Sequence, residues 1–252
     1  MHSLKISVVT VVFNGESIIR SCLESVRRQS VSCEHIVVDG DSKDGTLRIV
    51  EEYRNDSVVV LSEPDGGIYD AMNKGLRLAS GDIIGILNSD DLYSHERVLE
   101  KVRGVFEHGD ADACYGDLIY VDSANSRRVI RYWRAGEFHP TRMYWGWMPP
   151  HPTFFVRKEV YEKCGNFRLD LGTAADYELT LRFLLKKRVR VKYLPEVLVN
   201  MRIGGRSNAC IINRFRANRY DRLAWEVNGL RPYPWTLICK PIRKMRQYFV
   251  GI

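Results

Sequence analysis

The sequence has no hydrophobic run that approaches the ~20 residues a bilayer-spanning helix needs. Its first residues, Met1-His2-Ser3-Leu4-Lys5, run straight into a strand-like segment without the layout of a signal peptide. The six cysteines (Cys22, Cys33, Cys114, Cys164, Cys210 and Cys239) are scattered and none forms a CxxC pair. That disfavours a zinc site or a disulfide framework and makes a reducing cytoplasm the expected compartment. No GxGxxG follows the first strand-like segment, and no GxxxxGK[ST] occurs anywhere, so dinucleotide and P-loop sites are disfavoured as well. Internal repeats and low-complexity segments are also missing.

What is present is ordinary in bulk and uneven in detail. The 252 residues, 45% apolar and 27% charged, suit a soluble globular protein of one or two domains. The net charge of +7 belongs to the end of the chain. Residues 201–252 carry 11 Lys/Arg against only Asp221 and Glu226, a net of +9, while residues 1–200 carry 27 against 29, a net of −2. Such a basic tail suits nucleic acid or an anionic membrane surface.

Strand and helix patterns alternate four times in the first 90 residues or so. Residues 5–13 (KISVVTVVF), 35–38 (HIVV), 57–61 (SVVVL) and 83–87 (IIGIL) read as strands, the first as one buried on both faces. Between them, apolar residues recur at helical spacing: Ile18, Ile19, Cys22, Leu23 and Val26, then Leu47, Ile49, Val50 and Tyr53, then Ile68, Ala71, Met72, Leu76 and Ala79. Short connections imply right-handed βαβ crossovers and a mostly parallel sheet. Ligands of such sheets sit beyond the C-terminal strand ends, where Asn14, Asp39, Asp65, Asp90 and Asp91 are all expected to lie. Further on, residues 112–116 and 118–121 read as two short strands, 132–150 as an aromatic- and proline-rich loop or lid, and 153–156 as a strand. Residues 175–187 read as a helix, 189–194 as an alternating strand, and 211–228 as a basic helix.

Each acidic position has two readings. Asp90-Asp91 in NSDD is either a turn before a helix capped by Ser94 or a divalent-cation site; two adjacent carboxylates repel each other, and Mg²⁺ typically takes one or two carboxylates plus substrate phosphates. Asp39, in Asp-Gly-Asp, is a turn former or a ligand acceptor. Asp176 begins a helix, which favours an acid through the helix dipole and equally suits a general base. His151, in Pro-Pro-His-Pro, and Trp145 are candidates for the acceptor or phosphate side, although packing is the commoner fate of such residues.

Taken together, VVTVVFNGE (8–16), VVDGDSKDGT (37–46), SEPDGGIYDAMNKGLRLASGDIIGILNSDDLY (62–93), HPTFFVRKEVYEKCGNF (151–167) and AADYELTLRF (174–183) resemble glycosyltransferase family 2, in family order. The third piece is similar to the bacterial subgroup that builds surface-polysaccharide repeat units. The resemblance implies an α/β GT-A fold over residues 1–205, a Rossmann-like, mostly parallel sheet flanked by helices, with a basic, helical extension at 206–252. It implies transfer of a hexose or N-acetylhexosamine from a UDP-sugar, with inversion, to a saccharide acceptor that is lipid-linked. The enzyme would sit peripherally at the inner face of the cell membrane, with no nucleic-acid partner, and oligomers are compatible with it. By position, Val11 and Phe13 line the uracil pocket, Asp39 binds the uracil ring, and the Asp65–Gly67 loop approaches the nucleotide. Asp90 faces the ribose or metal, Asp91 holds Mg²⁺ or Mn²⁺, and Asp176 is the base, with Glu178 as runner-up. The chain departs from the family pattern at Asn88 and Ala175, where acids are common. Two rival readings are a sugar nucleotidyltransferase, which would want a glycine-rich basic loop where Phe13-Asn14-Gly15-Glu16 stands, and a non-catalytic binding protein, which leaves the acids unexplained.

Overall fold

The computed structural model describes residues 4–123, 125, 128–203 and 211–247, without the side chains of 211–218 and 244–246. The first half follows the predicted alternation: β1 (Ile6–Val12), α1 (Ile19–Arg27), β2 (Glu34–Asp39), α2 (Thr46–Glu51), β3 (Val58–Ser62), α3 (Ile68–Leu78) and β4 (Ile83–Ile86). Then come β5 (Asp91–Tyr93), α4 (Val98–Glu107), β6 (Ala113–Val121), β7 (Val129–Trp133), α5 (Pro140–Tyr144), β8 (Phe155–Arg157) and α6 (Lys158–Cys164). The chain continues through α7 (Ala175–Leu181), β9 (Val191–Arg202), α8 (Ile211–Glu226) and α9 (Thr236–Arg246).

One sheet runs β3-β2-β1-β4-β8-β6-β9-β5, with β7 on the free half of β6. The first four strands are parallel and β8 enters antiparallel between β4 and β6. Alternate residues of β1 feed opposite faces, as strand geometry requires. Ile6, Val8 and Val12 pack with α1, α2 and α4, while Val9 and Val11 pack with α3 and with the α7–α8 side. Burial on both faces explains why β1 is apolar throughout, with all seven residues buried.

The second half differs from the reading of its sequence at several points. Residues 113–121 form one strand rather than two, because the polar residue in the middle, Asp117, is buried but satisfied: its carboxylate accepts from Tyr132 and Tyr193 hydroxyls and from the Ala135 N–H. The 132–150 region is not a simple lid. It contains the end of β7 and all of α5, and Trp147 is buried, donating its indole N–H to Ala135 O at 2.8 Å. Strand β9 runs on to Arg202, past Pro195, because a register shift against β6 leaves Pro195 and Glu196 out of the ladder. The predicted 175–187 helix is α-helical to Leu181 and continues as a π turn over Arg182–Lys186. Ser94 is no helix cap: α4 starts at Val98, and the Ser94 hydroxyl donates to Val197 O across to β9. Of the cysteines, Cys22, Cys33, Cys114, Cys164 and Cys239 are unpaired, and Cys210 lies outside the described residues. No helix among the described residues is long and apolar enough to cross a membrane.

Candidate active site

The parallel strands deliver their acids to one edge. Asp39 ends β2 beside Val12 and Ser62, the last residues of β1 and β3. It is completely buried; Oδ2 accepts from Ser62 Oγ at 2.7 Å and from the Ser42 N–H at 3.1 Å, while Oδ1 is buried with no hydrogen-bond partner. A buried acceptor left bare is costly unless something is meant to bind it. Next to it, Gly40 lets two side chains close in. A Cβ there would stand 2.4 Å from Asp65 Oδ2 and 3.4 Å from the Phe13 ring. Phe13 is exposed and Val11 buried behind it, so of this pair Phe13 offers the open face. Asp65 also accepts from the Gly67 N–H at 2.7 Å, which fixes the loop that opens α3.

Asp90 and Asp91 follow β4, but they are not equivalent. Asp90 is half-buried, whereas Asp91 starts β5 and is fully buried. Asn88 stands by Asp91 as a neutral donor: its Nδ2 donates to Asp91 Oδ2 at 3.1 Å. The oxygens Asp91 Oδ1 and Asn88 Oδ1 are buried and unpartnered. Burial pushes the Asp90 carboxyl above its usual range. Burial, and then the neighbouring Asp90, push Asp91 well above it, while Arg202 attracts both. These acids fit a hard divalent cation in chemistry: oxygen donors, bare lone pairs, and mutual repulsion that a cation would relieve. They are a pair rather than a cage. Among the described residues no group of three or more His, Cys, Asp or Glu could hold a metal, so phosphate oxygens would have to complete the shell.

Asp176 stands in the first turn of α7, half-buried, with its Oδ1 accepting from the Tyr177 N–H at 2.7 Å. Two aromatic side chains flank it. Tyr69, in the first turn of α3, lies near its carboxylate, and burial followed by the Asp176 charge drives the phenol pKa up. His151 feels the Asp176 charge, but burial outweighs it and holds the imidazole pKa down. Both His151 ring nitrogens are buried without a partner, and the ring meets Phe167 edge-on at 5.7 Å. Phe167 in turn contacts Tyr69 at 5.5 Å. Asn73 anchors its backbone to α3 from both sides, donating to Phe167 O at 2.9 Å and accepting from its N–H at 3.0 Å.

The Asp65–Gly67 loop thus leads into α3, whose Tyr69 lies near Asp176, and the His151 turn lies against β4, whose end precedes Asp90. Trp145 stands apart from this cluster. It is exposed, with Trp235 as its aromatic neighbour at 5.6 Å. Glu178, the runner-up base, is 1% exposed and clasped by Arg182 and Asn228. Two further residues, Tyr69 and Arg202, lie near the acids. Tyr69 sits inside the GGIYD stretch, whose glycines mark a loop and helix start and give no signal for the phenol. Arg202 has no local signal; only the pairing of Asp91 with Met201 brings it near.

Residues 7–165 match the family model described as Glycosyl transferase family 2. The chain belongs to that family. It is 32% identical over 189 residues to an uncharacterized glycosyltransferase of Mycobacterium tuberculosis, covering 71% of this chain and 69% of the relative. A "PGL/p-HBAD biosynthesis glycosyltransferase" of the same species is 28% identical over 215 residues, covering 83% of this chain and 81% of the relative. Among solved structures, S. aureus TarS 1-349 in complex with UDP-GlcNAc superposes with a TM-score of 0.68 at 21% identity, over 98% of this chain and 73% of that one. The mannosyltransferase PcManGT from Pyrobaculum calidifontis, in complex with GDP-Man and Mn²⁺, gives 0.68 at 17% identity, over 100% and 77%. At these identities the likeness establishes the GT-A fold of this family 2 glycosyltransferase.

Proposed function

We propose that this family 2 glycosyltransferase moves a hexose or N-acetylhexosamine from a UDP-sugar to a saccharide hydroxyl, with inversion at the anomeric carbon. The observation that carries the reading is a set of buried strand-end carboxylates, Asp39 and Asp91, delivered to one sheet edge, together with a separate, half-buried acid, Asp176, in the first turn of α7. The bare Oδ1 of Asp39 suits the imide N–H of uracil, and the exposed Phe13 ring suits the base's face. Asp65, Gly66 and Gly67 border the nucleotide. Asp90, the more accessible of the acidic pair, and Asp91 through Oδ1 would hold Mg²⁺ or Mn²⁺. Such a cation, when bound, offsets the negative charge that grows on the departing diphosphate.

Asp176 accepts the proton of the acceptor hydroxyl as its oxygen attacks from the face opposite the leaving group. The Tyr177 N–H, donating to its Oδ1, orients the carboxylate, with Tyr69 nearby. His151, neutral and with bare nitrogens, offers a hydrogen bond to the acceptor or to the diphosphate. The acceptor class that suits the subgroup resemblance is a lipid-linked saccharide at the inner face of the cell membrane, with the basic C-terminal segment directed to that surface.

The test is Asp176→Asn. Transfer should fall by about 10²–10⁴, the usual worth of a general base, while UDP affinity stays nearly unchanged. Turnover like that of the wild type would overturn the assignment. A donor screen across UDP-glucose, UDP-galactose, UDP-GlcNAc and UDP-GalNAc then identifies the sugar.

A further inference from the structure

Helix α9 is amphipathic in the reverse sense for a helix packed on a protein. Two of its polar residues, Thr236 and Lys240, face inward. Thr236 is fully buried and donates its hydroxyl to Tyr144 O at 2.6 Å. Lys240 reaches in to the Asp221 carboxylate at 2.7 and 2.8 Å and lies 3.7 Å from the centre of the Tyr177 ring. Two of its apolar residues face out, Ile238 at 63% exposed and Ile242 at 48%, with Trp235 exposed one turn earlier, while Leu237 and Cys239 are half-buried. Trp235 continues the patch sideways, 5.6 Å from exposed Trp145 and 5.1 Å from exposed Tyr233. Five of the ten large apolar side chains that stand exposed among the described residues fall in this one patch, so it is no random scatter.

The charge around it narrows the occupant. Residues 231–247 contain no acid and, besides Lys240, which Asp221 neutralises, four further basic residues: Arg231, Arg243, Lys244 and Arg246. A second copy placed symmetrically on this face would set the same basic segment against itself. An anionic lipid surface does the opposite: it attracts the basic residues, takes up the isoleucines, and accommodates Trp and Tyr at the headgroup level. The geometry points to α9 as a monotopic docking helix for an anionic phospholipid surface, with Trp145, Trp235, Ile238 and Ile242 entering the boundary between headgroups and acyl chains. This deepens the functional reading above, on which the lipid-linked acceptor rests. It also orients the enzyme. Through Lys240, α9 abuts Tyr177 of α7, the helix whose first turn holds Asp176. The turn carrying Trp145 is fitted just as closely, since Gly146 has φ +73° and a Cβ there would lie 2.4 Å from Lys240 N.

The experiment is vesicle flotation of the full chain, comparing the wild type with an Ile238→Ser/Ile242→Ser variant. Vesicles are phosphatidylcholine alone or phosphatidylcholine with phosphatidylglycerol. The wild type should float with the anionic vesicles, poorly with the neutral ones, and less in high salt. The variant should partition at least about tenfold less, since two aliphatic anchors are lost. Its Tm and UDP affinity should match the wild type, because both side chains are exposed. Equal flotation of the two proteins overturns the proposal. So does a wild type that ignores vesicles but sediments as a dimer which the variant dissociates. If flotation fails while Asp176→Asn still abolishes transfer, the docking helix falls and the catalytic reading stands; the reverse pattern has the reverse meaning.

Discussion

His35 lies in the middle of a buried strand face, with its Nε2 2.9 Å from Thr10 Oγ1, and burial pulls its pKa from 6.5 down to about 4. The folded state therefore binds its proton later than the unfolded chain as pH falls. The stability that neutral His35 permits is fully present above pH 6.5 and lost as the pH drops toward about 4. The whole effect amounts to roughly 3 kcal/mol at most. Chemical denaturation between pH 7 and 4 should show this slope in the wild type and a shallower one in His35→Gln. Identical slopes would mean that His35 contributes nothing to acid sensitivity. Beside it, Glu34 titrates in a different window. Burial works against its charge, but bonds from Ser7, Ser80 and Lys5 outweigh that and hold it near 2, so its contribution fades only below about pH 4.5. Neither effect is visible in the letters HIVV, which announce a buried strand and nothing about the partner of its histidine.

Helix α7 shows how two acids two residues apart are divided between fold and chemistry. Glu178 binds the Arg182 guanidinium at 2.9 and 3.0 Å, and Arg182 also donates to Cys164 O and Asn166 O. Asn228, just beyond α8, completes the network at 3.0 Å from Glu178. Glu178→Ala strands a largely buried Arg182 charge and should cost about 3–5 kcal/mol. That is a Tm loss of roughly 6–20 °C for a chain of this size, read by thermal unfolding. Asp176→Asn should leave Tm almost unmoved. A Glu178 variant that keeps its Tm and loses only transfer would return it to candidacy as the base. The elements were legible where several signals agreed. Strands β1 to β4 are apolar runs closed by Asp/Gly turn chemistry, so period, length and punctuation point the same way. They were obscured where tertiary contacts override local pattern. Pro195 breaks the alternation of β9, yet a bulge on β9 absorbs it. The tryptophans at 145 and 147 look alike in sequence, but one is exposed beside Trp235 and the other fills the core under Tyr115.

Over the whole molecule the charge is segregated: an acidic sheet edge in the first 200 residues, net −2, and a basic C-terminal segment, net +9. The ends of β2 and β4 collect Asp39, Asp90 and Asp91 in one region where two carboxylates are fully buried, and the bare oxygens there make the free protein pay in stability for a ligand it has yet to bind. Linkage makes this measurable. A ligand that binds only the folded state adds about 2.7 kcal/mol when present at 100 times its Kd, equivalent to about 5–11 °C in Tm. UDP with Mn²⁺ should produce a shift of that order. UDP with a chelator should produce a much smaller one, because the diphosphate then meets Asp90 and Asp91 with no cation between them. Mn²⁺ alone should raise Tm slightly, by relieving the repulsion inside the pair. Asp90→Asn should remove most of the Mn²⁺-dependent part of the UDP shift. Asp39→Asn, which offers an amide where the imide N–H needs an acceptor and can present its N–H₂ instead, should weaken UDP with and without metal. A UDP shift of equal size in chelator and in Mn²⁺ would show that the acidic pair holds no cation, and would leave the charge on the leaving diphosphate to be met by Arg202, the basic residue that acts on both acids.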